Sequence, residues 1–290
     1  MPSEYDVSVI VVSWNVRELL RQCISSIFEQ TKNIRFEVIV IDNASHDGSA
    51  EMVKKSFPRV RLISNKRNSG FAKANNQGLE IARGEYTLLL NPDTIIVDRA
   101  IEKTLAWMNA NRQAAIVGCR IKNPDGTNQP SVRSFPSLSA MALILLKLHR
   151  LFPGAKPLKN YLRPDFDFSK SQKVDQVMGA FFMIAPESRR RLGQLDEQYF
   201  IWFEEVDYCL MASQAGLETW YYADAEIIHF YGQSFRQVMS LRKQVRLNNS
   251  LLKYYKKHGT VLERLSVLLL YPWSLVPSLV VNLCIQPFHR

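Results

Sequence analysis

The sequence predicts an α/β fold: a mostly parallel central sheet flanked by helices, followed by a helical C-terminal extension. Three observations carry this prediction. Short, continuous apolar runs recur along the first part of the chain, as strands buried on both faces require. Segments of helical spacing alternate with them through short loops, the economical pattern of a parallel sheet. Each run closes on a polar cluster, and ligands of open α/β sheets gather at the carboxyl ends of strands.

Val7-Ser8-Val9-Ile10-Val11-Val12 is the first strand, and it ends at Ser13-Trp14-Asn15. Val16 to Gln30 then spaces Leu19, Leu20, Cys23, Ile24 and Ile27 as one helix face. Phe36 to Ile41 is a second strand, closing on Asp42-Asn43-Ala44-Ser45-His46-Asp47-Gly48-Ser49. Ser49 is placed to cap a helix reaching Lys55, and Val60 to Ser64 makes a third strand. A polar loop, Asn65 to Gly70, leads into a helix from Phe71 to Ala82. The fourth strand, Tyr86-Thr87-Leu88-Leu89-Leu90, delivers Asn91-Pro92-Asp93 to the sheet rim. Arg99 to Asn111 reads as a helix, and Ala115 to Ile121 as a strand ending in the turn Asn123-Pro124-Asp125-Gly126. Leu138 to Leu151 is apolar and covers the core or grazes a membrane, while Val174 to Ala185 reads as one further strand. No repeat or low-complexity tract interrupts this order.

The 290 residues are 47% hydrophobic and 22% charged, the composition of an ordinary globular protein. Four cysteines lie far apart without metal-ligand spacing, which favours free buried thiols in a reducing compartment. The first strand begins too soon after Met1 to leave room for a secretion signal. The net charge of +10 is concentrated late in the chain. From Arg236 to Arg264 the cations Arg236, Arg242, Lys243, Arg246, Lys253, Lys256, Lys257 and Arg264 face the single acid Glu263. Leu265 to Ile285 follows, almost wholly apolar but broken by Pro272 and Pro277. Basic sequence leading into apolar, Trp-containing sequence fits a segment lying on an anionic membrane face. A helix pair packed on the domain is the other reading. The chain accordingly divides into a catalytic unit, 1–235, and a membrane-associating segment, 236–290. Nucleic acid is not an expected partner, because the apolar tail would then have no purpose.

Four clusters bear chemistry. Asp42 and Asn43 offer a carboxylate and an amide suited to a ribose and a base, although an Asx-turn uses the same letters. Asn65 to Asn76 sets asparagines and cations around Gly70, which suits a diphosphate or a solvated loop. Asp93 suits a metal or an Asn-Pro-Asp turn. Leu195 to Cys209 packs Glu204, Glu205 and Asp207 among Trp202, Phe203 and Tyr208, and carboxylates against aromatic surface become plausible general bases. His229 is a lone histidine, a further ligand only if Asp93 holds a metal. No Walker loop or GxGxxG fingerprint supports an ATPase or a dinucleotide enzyme.

In this order the clusters resemble the inverting family 2 glycosyltransferases of GT-A fold, and most closely their rhamnosyltransferase-like branch. The likeness spans roughly Val7 to Ser234. It rests on Ser13-Trp14-Asn15, Ile41-Asp42-Asn43-Ala44-Ser45, Asn68-Ser69-Gly70-Phe71-Ala72, Leu90-Asn91-Pro92-Asp93 and Phe203-Glu204-Glu205-Val206-Asp207. The resemblance implies a nucleotide-diphosphate sugar donor, dTDP-rhamnose by branch, and a glycan or lipid-linked saccharide acceptor. It implies Mg²⁺ or Mn²⁺ on Asp93, with His229 as a further ligand and Asn91 in place of the first acid of an Asp-x-Asp motif. Ser13, Asn15, Asp42, Asn43, Asn68, Gly70 and Asn91 fall on the donor side. Gly179, Ala180, Trp202, Glu204 and Asp207 fall on the substrate side, and Glu205 stands at the catalytic base. An Arg frequent in the family falls on Met211, so Arg67 or Lys73 would have to replace that contact. The implied location is cytoplasmic, peripheral on the membrane. A catalytically inactive nucleotide-sugar-binding or scaffold subunit is the alternative, and a sugar nucleotidyltransferase lacks its expected glycine-rich loop.

Overall fold

The computed structural model describes residues 3–230, 232 and 237–285. Arg236, Ser234 and the expected division between 235 and 236 lie outside the described residues.

The elements run β1 (Tyr5–Ser13), α1 (Arg17–Gln30), β2 (Phe36–Asp42), α2 (Ser49–Ser56), β3 (Arg61–Ser64), α3 (Phe71–Ile81) and β4 (Gly84–Leu90). Then come β5 (Thr94–Ile96), α4 (Ala100–Ala110), β6 (Ala114–Lys122), β7 (Val132–Arg133), α5 (Leu138–Leu145) and α6 (Lys156–Leu162). The chain continues through β8 (Gln172–Val174), β9 (Gln176–Val177), β10 (Phe181–Ile184), α7 (Pro186–Leu192), α8 (Glu204–Gln214) and β11 (Glu218–His229). It closes with α9 (Ser240–His258) and α10 (Val261–Ile285).

The main sheet has the order β3-β2-β1-β4-β10-β6-β11-β5, with β8 paired to β11. One half, β3 to β4, is parallel throughout. β10 then enters antiparallel between β4 and β6, β11 runs parallel to β6, and β5 folds back antiparallel on β11. Successive side chains of the parallel half divide between two cores, as period-two alternation demands. Val9, Val11, Val38, Val40 and Leu88 pack with Leu20, Ile24 and Ile27 of α1. Ile10, Ile39, Ile41 and Leu89 pack with Ala72 and Leu79 of α3 and Tyr208 of α8. Both faces are therefore covered, which is why these strands read as unbroken apolar runs.

Two local readings change, and a third is narrowed. The segment 174–185 is not one strand. It breaks at Asp175 and again at Met178-Gly179-Ala180, so β8, β9 and β10 serve different partners. Ser49 is the first helical residue of α2 rather than its cap. Gly48 takes the cap position at φ 82°, and Asp47 accepts from the Ser49 N–H and hydroxyl. The apolar segment after Ser137 is α-helical to Leu145 with a 3₁₀ turn at Leu148–Arg150, and its first part covers the core, Ala140, Met141 and Leu145 packing with Leu251, Tyr254 and Tyr255 of α9.

Candidate active site

Ser13 and Asp42 are register partners at the carboxyl ends of β1 and β2. Asp42 Oδ2 accepts from the Ser45 N–H at 3.2 Å, whereas Asp42 Oδ1 and Ser13 Oγ are buried with no hydrogen-bond partner among the described residues. Buried polar atoms are almost always paired, so two orphans side by side at a strand end suit a polar ligand. Asn43 is different. Its amide donates to Asn68 Oδ1 and the Gly70 carbonyl, and its Oδ1 accepts from Asn65 and from the N–H and hydroxyl of Ser69. That side chain fastens the 65–70 loop to β2 and has little capacity left for a base. Asn15, at φ 52°, likewise accepts from the His46 N–H and braces the neighbouring loop. Asn68 Oδ1 also accepts from the Gly70 N–H. Gly70, at φ 91°, sits where a Cβ would come within 2.6 Å of the Phe200 carbonyl, and that carbonyl takes the Phe71 N–H. Glycine is needed there for close approach to the 200 loop, and the first N–H of α3 is spent on protein rather than on an anion.

Asp93 and His229 meet because β5 turns back on β11, pairing Thr94 with His229. Asp93 Oδ1 lies 3.2 Å from His229 Nε2, and Asn91 Nδ2 lies 3.5 Å from the same nitrogen, 138 residues away in sequence. Both members of the pair are nearly buried, their side chains 7% and 3% exposed. Gln129 sets the tautomer. Its Nε2 donates to the His229 carbonyl and to Asn123 Oδ1, each at 2.7 Å, so its Oε1 faces His229 Nδ1 at 3.0 Å as an acceptor. Nδ1 then donates to Gln129, and Nε2 faces the Asp93 carboxylate. A carboxylate oxygen and an imidazole nitrogen this close together are placed to share a cation. An oxygen and an imidazole nitrogen suit Mg²⁺ or Mn²⁺, and the donor set therefore fits a divalent ion. Among the described residues no group of three or more His, Cys, Asp or Glu side chains collects around such an ion. Phosphate oxygens and water would complete the shell, as they commonly do for Mg²⁺.

The acidic cluster reaches the same place through the broken strand. The Asn91 N–H donates to the Ala180 carbonyl at 3.1 Å, and Gly179 packs on Glu205, whose side-chain carbons would lie 3.8 Å from any Cβ at that position. Trp202 and Phe203 take positive φ (63° and 72°), strained for bulky residues, to turn the chain into α8 at Glu204. Burial raises the Glu205 pKa, opposed by main-chain hydrogen bonds and by the Arg133 charge. Burial also pushes the Glu204 carboxyl well up, reinforced by the neighbouring Glu205 charge. Each carboxyl keeps a buried Oε2 with no partner among the described residues.

Asp207, placed with the substrate by resemblance, is fully buried and accepts from Lys257 Nζ at 2.8 Å and from the Tyr199 hydroxyl at 3.3 Å. His258 Nε2 lies 2.6 Å from Oδ1, the oxygen that also accepts from Tyr199. A buried carboxylate so surrounded joins α8 to the end of α9, not to a cleft. Lys73, suggested for a phosphate, pairs with Glu197.

Sequence reasoning missed Gln129, Arg133 and the Lys257–His258 pair. Gln129 stands alone in a loop, and only the fold sets it against His229. Arg133 follows the apolar Val132 on a two-residue strand too short to show a pattern. Lys257 and His258 are hidden in a run of cations that reads as solvated.

Comparison with known proteins gives the family and the fold. The family model for Glycosyl transferase family 2 matches residues 8–182. An N-acetylglucosaminyl-diphospho-decaprenol L-rhamnosyltransferase of Mycobacterium tuberculosis is 26% identical over 237 residues, covering 78% of this chain and 76% of that protein. A low-salt glycan biosynthesis hexosyltransferase of Haloferax volcanii is 23% identical over 257 residues, covering 85% of this chain and 76% of that protein. Among solved structures, a mannosyltransferase from Pyrobaculum calidifontis in complex with GDP-Man and Mn²⁺ superposes with a TM-score of 0.60 at 16% identity, covering 100% of this chain and 80% of that one.

Proposed function

The chain belongs to glycosyl transferase family 2 and has the GT-A fold, and from that premise we propose an inverting, metal-dependent transfer of a sugar from a nucleoside diphosphate to a saccharide hydroxyl. One observation carries the reading: Asp93 and His229 converge with Nδ1 held on Gln129, and the neighbouring Asn91 is bonded to Ala180, next to the Gly179 that packs on the half-buried Glu205. Asp93 and His229 would hold the divalent ion. When bound, it offsets the negative charge that grows on the departing diphosphate. Ser13 Oγ and Asp42 Oδ1 take the nucleoside, the role that satisfies their unpaired state.

Glu205 is the base. Its carboxylate removes the proton from the acceptor hydroxyl as that oxygen bonds to the anomeric carbon, opposite the breaking bond to the diphosphate. Placement beside Gly179 leaves no side chain between Glu205 and the strand end, so the acceptor can approach. Alignment of the two substrates and the surrounding field supply most of the acceleration. The mycobacterial relative's name supports rhamnose as the sugar and a lipid-diphosphate saccharide as the acceptor; the branch resemblance supports thymidine diphosphate as the carrier.

The inactive-scaffold alternative predicts donor binding without turnover. A thermal-shift panel of nucleotide sugars with Mn²⁺ identifies the donor, since the cognate donor alone should stabilise by several degrees at saturation, and a donor-hydrolysis assay separates the two readings. Asp93→Ala should remove the Mn²⁺-dependent part of that shift. A shift that survives in Asp93→Ala takes the metal away from this site, and donor binding without hydrolysis or transfer returns the protein to the scaffold reading.

Membrane contact belongs to the same proposal. α10 carries its large apolar side chains outward, Leu262, Leu265, Leu269, Trp273, Val276 and Leu279 being exposed, while Val267, Ser274 and Ser278 face inward. Asn248 of α9 donates to Ser274 Oγ at 2.7 Å across that inner seam. Among the described residues no helix is long and apolar enough to cross a membrane. An outward apolar face beside a basic helix fits a surface-bound segment.

A further inference from the structure

Arg133 links Glu205 to a part of the molecule the donor does not use. Its charge acts on Glu205, and its guanidinium lies 5.7 Å from the ring centre of Tyr161 in α6. The Ser134 N–H donates to the Tyr161 carbonyl at 3.0 Å, so α6 is fastened to the strand that carries Arg133. Two adjoining cavities open there, of about 360 and 500 Å³, sharing Ser134 and Asn160. The first is lined by Lys156 and the second by Lys159 and Arg163, against one acid, Asp165. Neither lysine enters an ion pair among the described residues, and Arg163 is held with its guanidinium 4.9 Å from the Phe166 ring centre. The segment ahead of α6 exposes Leu151 and Phe152, 72% and 59%, and Lys147, His149 and Arg150 precede them. No acidic residue interrupts the run from Lys147 to Arg163.

Convergent cations, a hydroxyl and an amide in a cavity of this size suit a phosphate-bearing ligand. Exposed Leu and Phe side chains beside it suit a lipid. We propose that these cavities bind the diphosphate of a polyprenyl-linked acceptor, with its saccharide directed past Arg133 to Glu205 and its lipid leaving over Leu151 and Phe152. This rests on the glycosyltransferase reading and assigns the acceptor's anionic group a place of its own, separate from the donor diphosphate.

The test measures binding of farnesyl diphosphate, inorganic pyrophosphate and Mn²⁺ with thymidine diphosphate to the full chain and to a Lys156→Gln, Lys159→Gln, Arg163→Gln variant. The first two ligands are measured with chelator present, which silences the metal-dependent site. The expected result is a loss of at least about tenfold in farnesyl diphosphate affinity, as removal of charge-assisted bonds implies, with Mn²⁺–nucleotide binding unchanged. Single Lys159→Glu, a surface reversal, should show the same direction without loss of fold. Unaltered farnesyl diphosphate binding in the triple variant overturns the proposal. So does a parallel loss of Mn²⁺–nucleotide binding, which would give the cations to the donor. Pyrophosphate binding as tight as farnesyl diphosphate overturns the lipid source. If the unaltered protein fails to bind Mn²⁺ and nucleotide, the glycosyltransferase reading itself falls, whatever the cavities do.

Discussion

Glu205 is the proposed base at the residue scale, and its neighbours set its proton affinity. Burial raises its pKa, and Arg133 is among the groups holding it down. A base works only when ionised, so activity should fall as pH drops through this raised value, and Arg133→Gln should move the acid limb of the kcat profile to higher pH. A limb that stays in place detaches Arg133 from Glu205. Glu205→Gln should retain donor binding by calorimetry while turnover falls about 10² to 10⁴-fold, the usual worth of a general base. Near-normal turnover would remove Glu205 from that role. Gln129 acts through His229 alone. Gln129→Leu releases the ring tautomer and should weaken Mn²⁺ binding, read by electron paramagnetic resonance with nucleotide present, by about 10- to 100-fold. Equal affinity in the variant would make Gln129 a packing residue only.

At the scale of elements, the N-terminal end of α8 is held by two kinds of chemistry. It carries the buried Glu204 and the half-buried Glu205, the latter beside Gly179, and Asp207 is gripped by Lys257 and His258 at the end of α9. The C-terminal hairpin therefore bears on the helix that positions the base. Asp207→Asn keeps the volume and removes the charge that faces Lys257 and His258. It should cost about 3 kcal/mol, the scale of breaking the buried end of the Lys257–Asp207 ion pair, seen as a lower urea midpoint and faster amide exchange in α9. An unchanged midpoint would show the contact to be neutral for stability.

For the whole molecule, the proposed membrane contact would rest on the outward apolar face of α10 and on the exposed Leu151 and Phe152. Replacing Leu265, Leu269 and Trp273 together by Ser should leave the unfolding transition within about 0.5 kcal/mol per site, as exposed positions allow. Recovery with anionic vesicles should drop at least about tenfold, from the apolar area lost. Unreduced flotation would assign this face to another partner, and loss of the unfolding transition would place it in the core.

The alternation of strand and helix was legible in the sequence because it is local: Val7 to Val12 and Phe36 to Ile41 are read from neighbours two residues apart, α1 and α3 from neighbours three and four apart. The ordered strand-end motifs likewise carried the family. Tertiary structure alone decided the rest. It placed β10 antiparallel in the sheet, broke the 174–185 run at Gly179 to admit Glu205, and sent Asp207 to the C-terminal hairpin. It also brought Asp93, Gln129 and His229 together. These are pairings between residues far apart in the chain, settled by which strand edge remains open once the parallel half has formed, and no periodicity along the sequence encodes that choice.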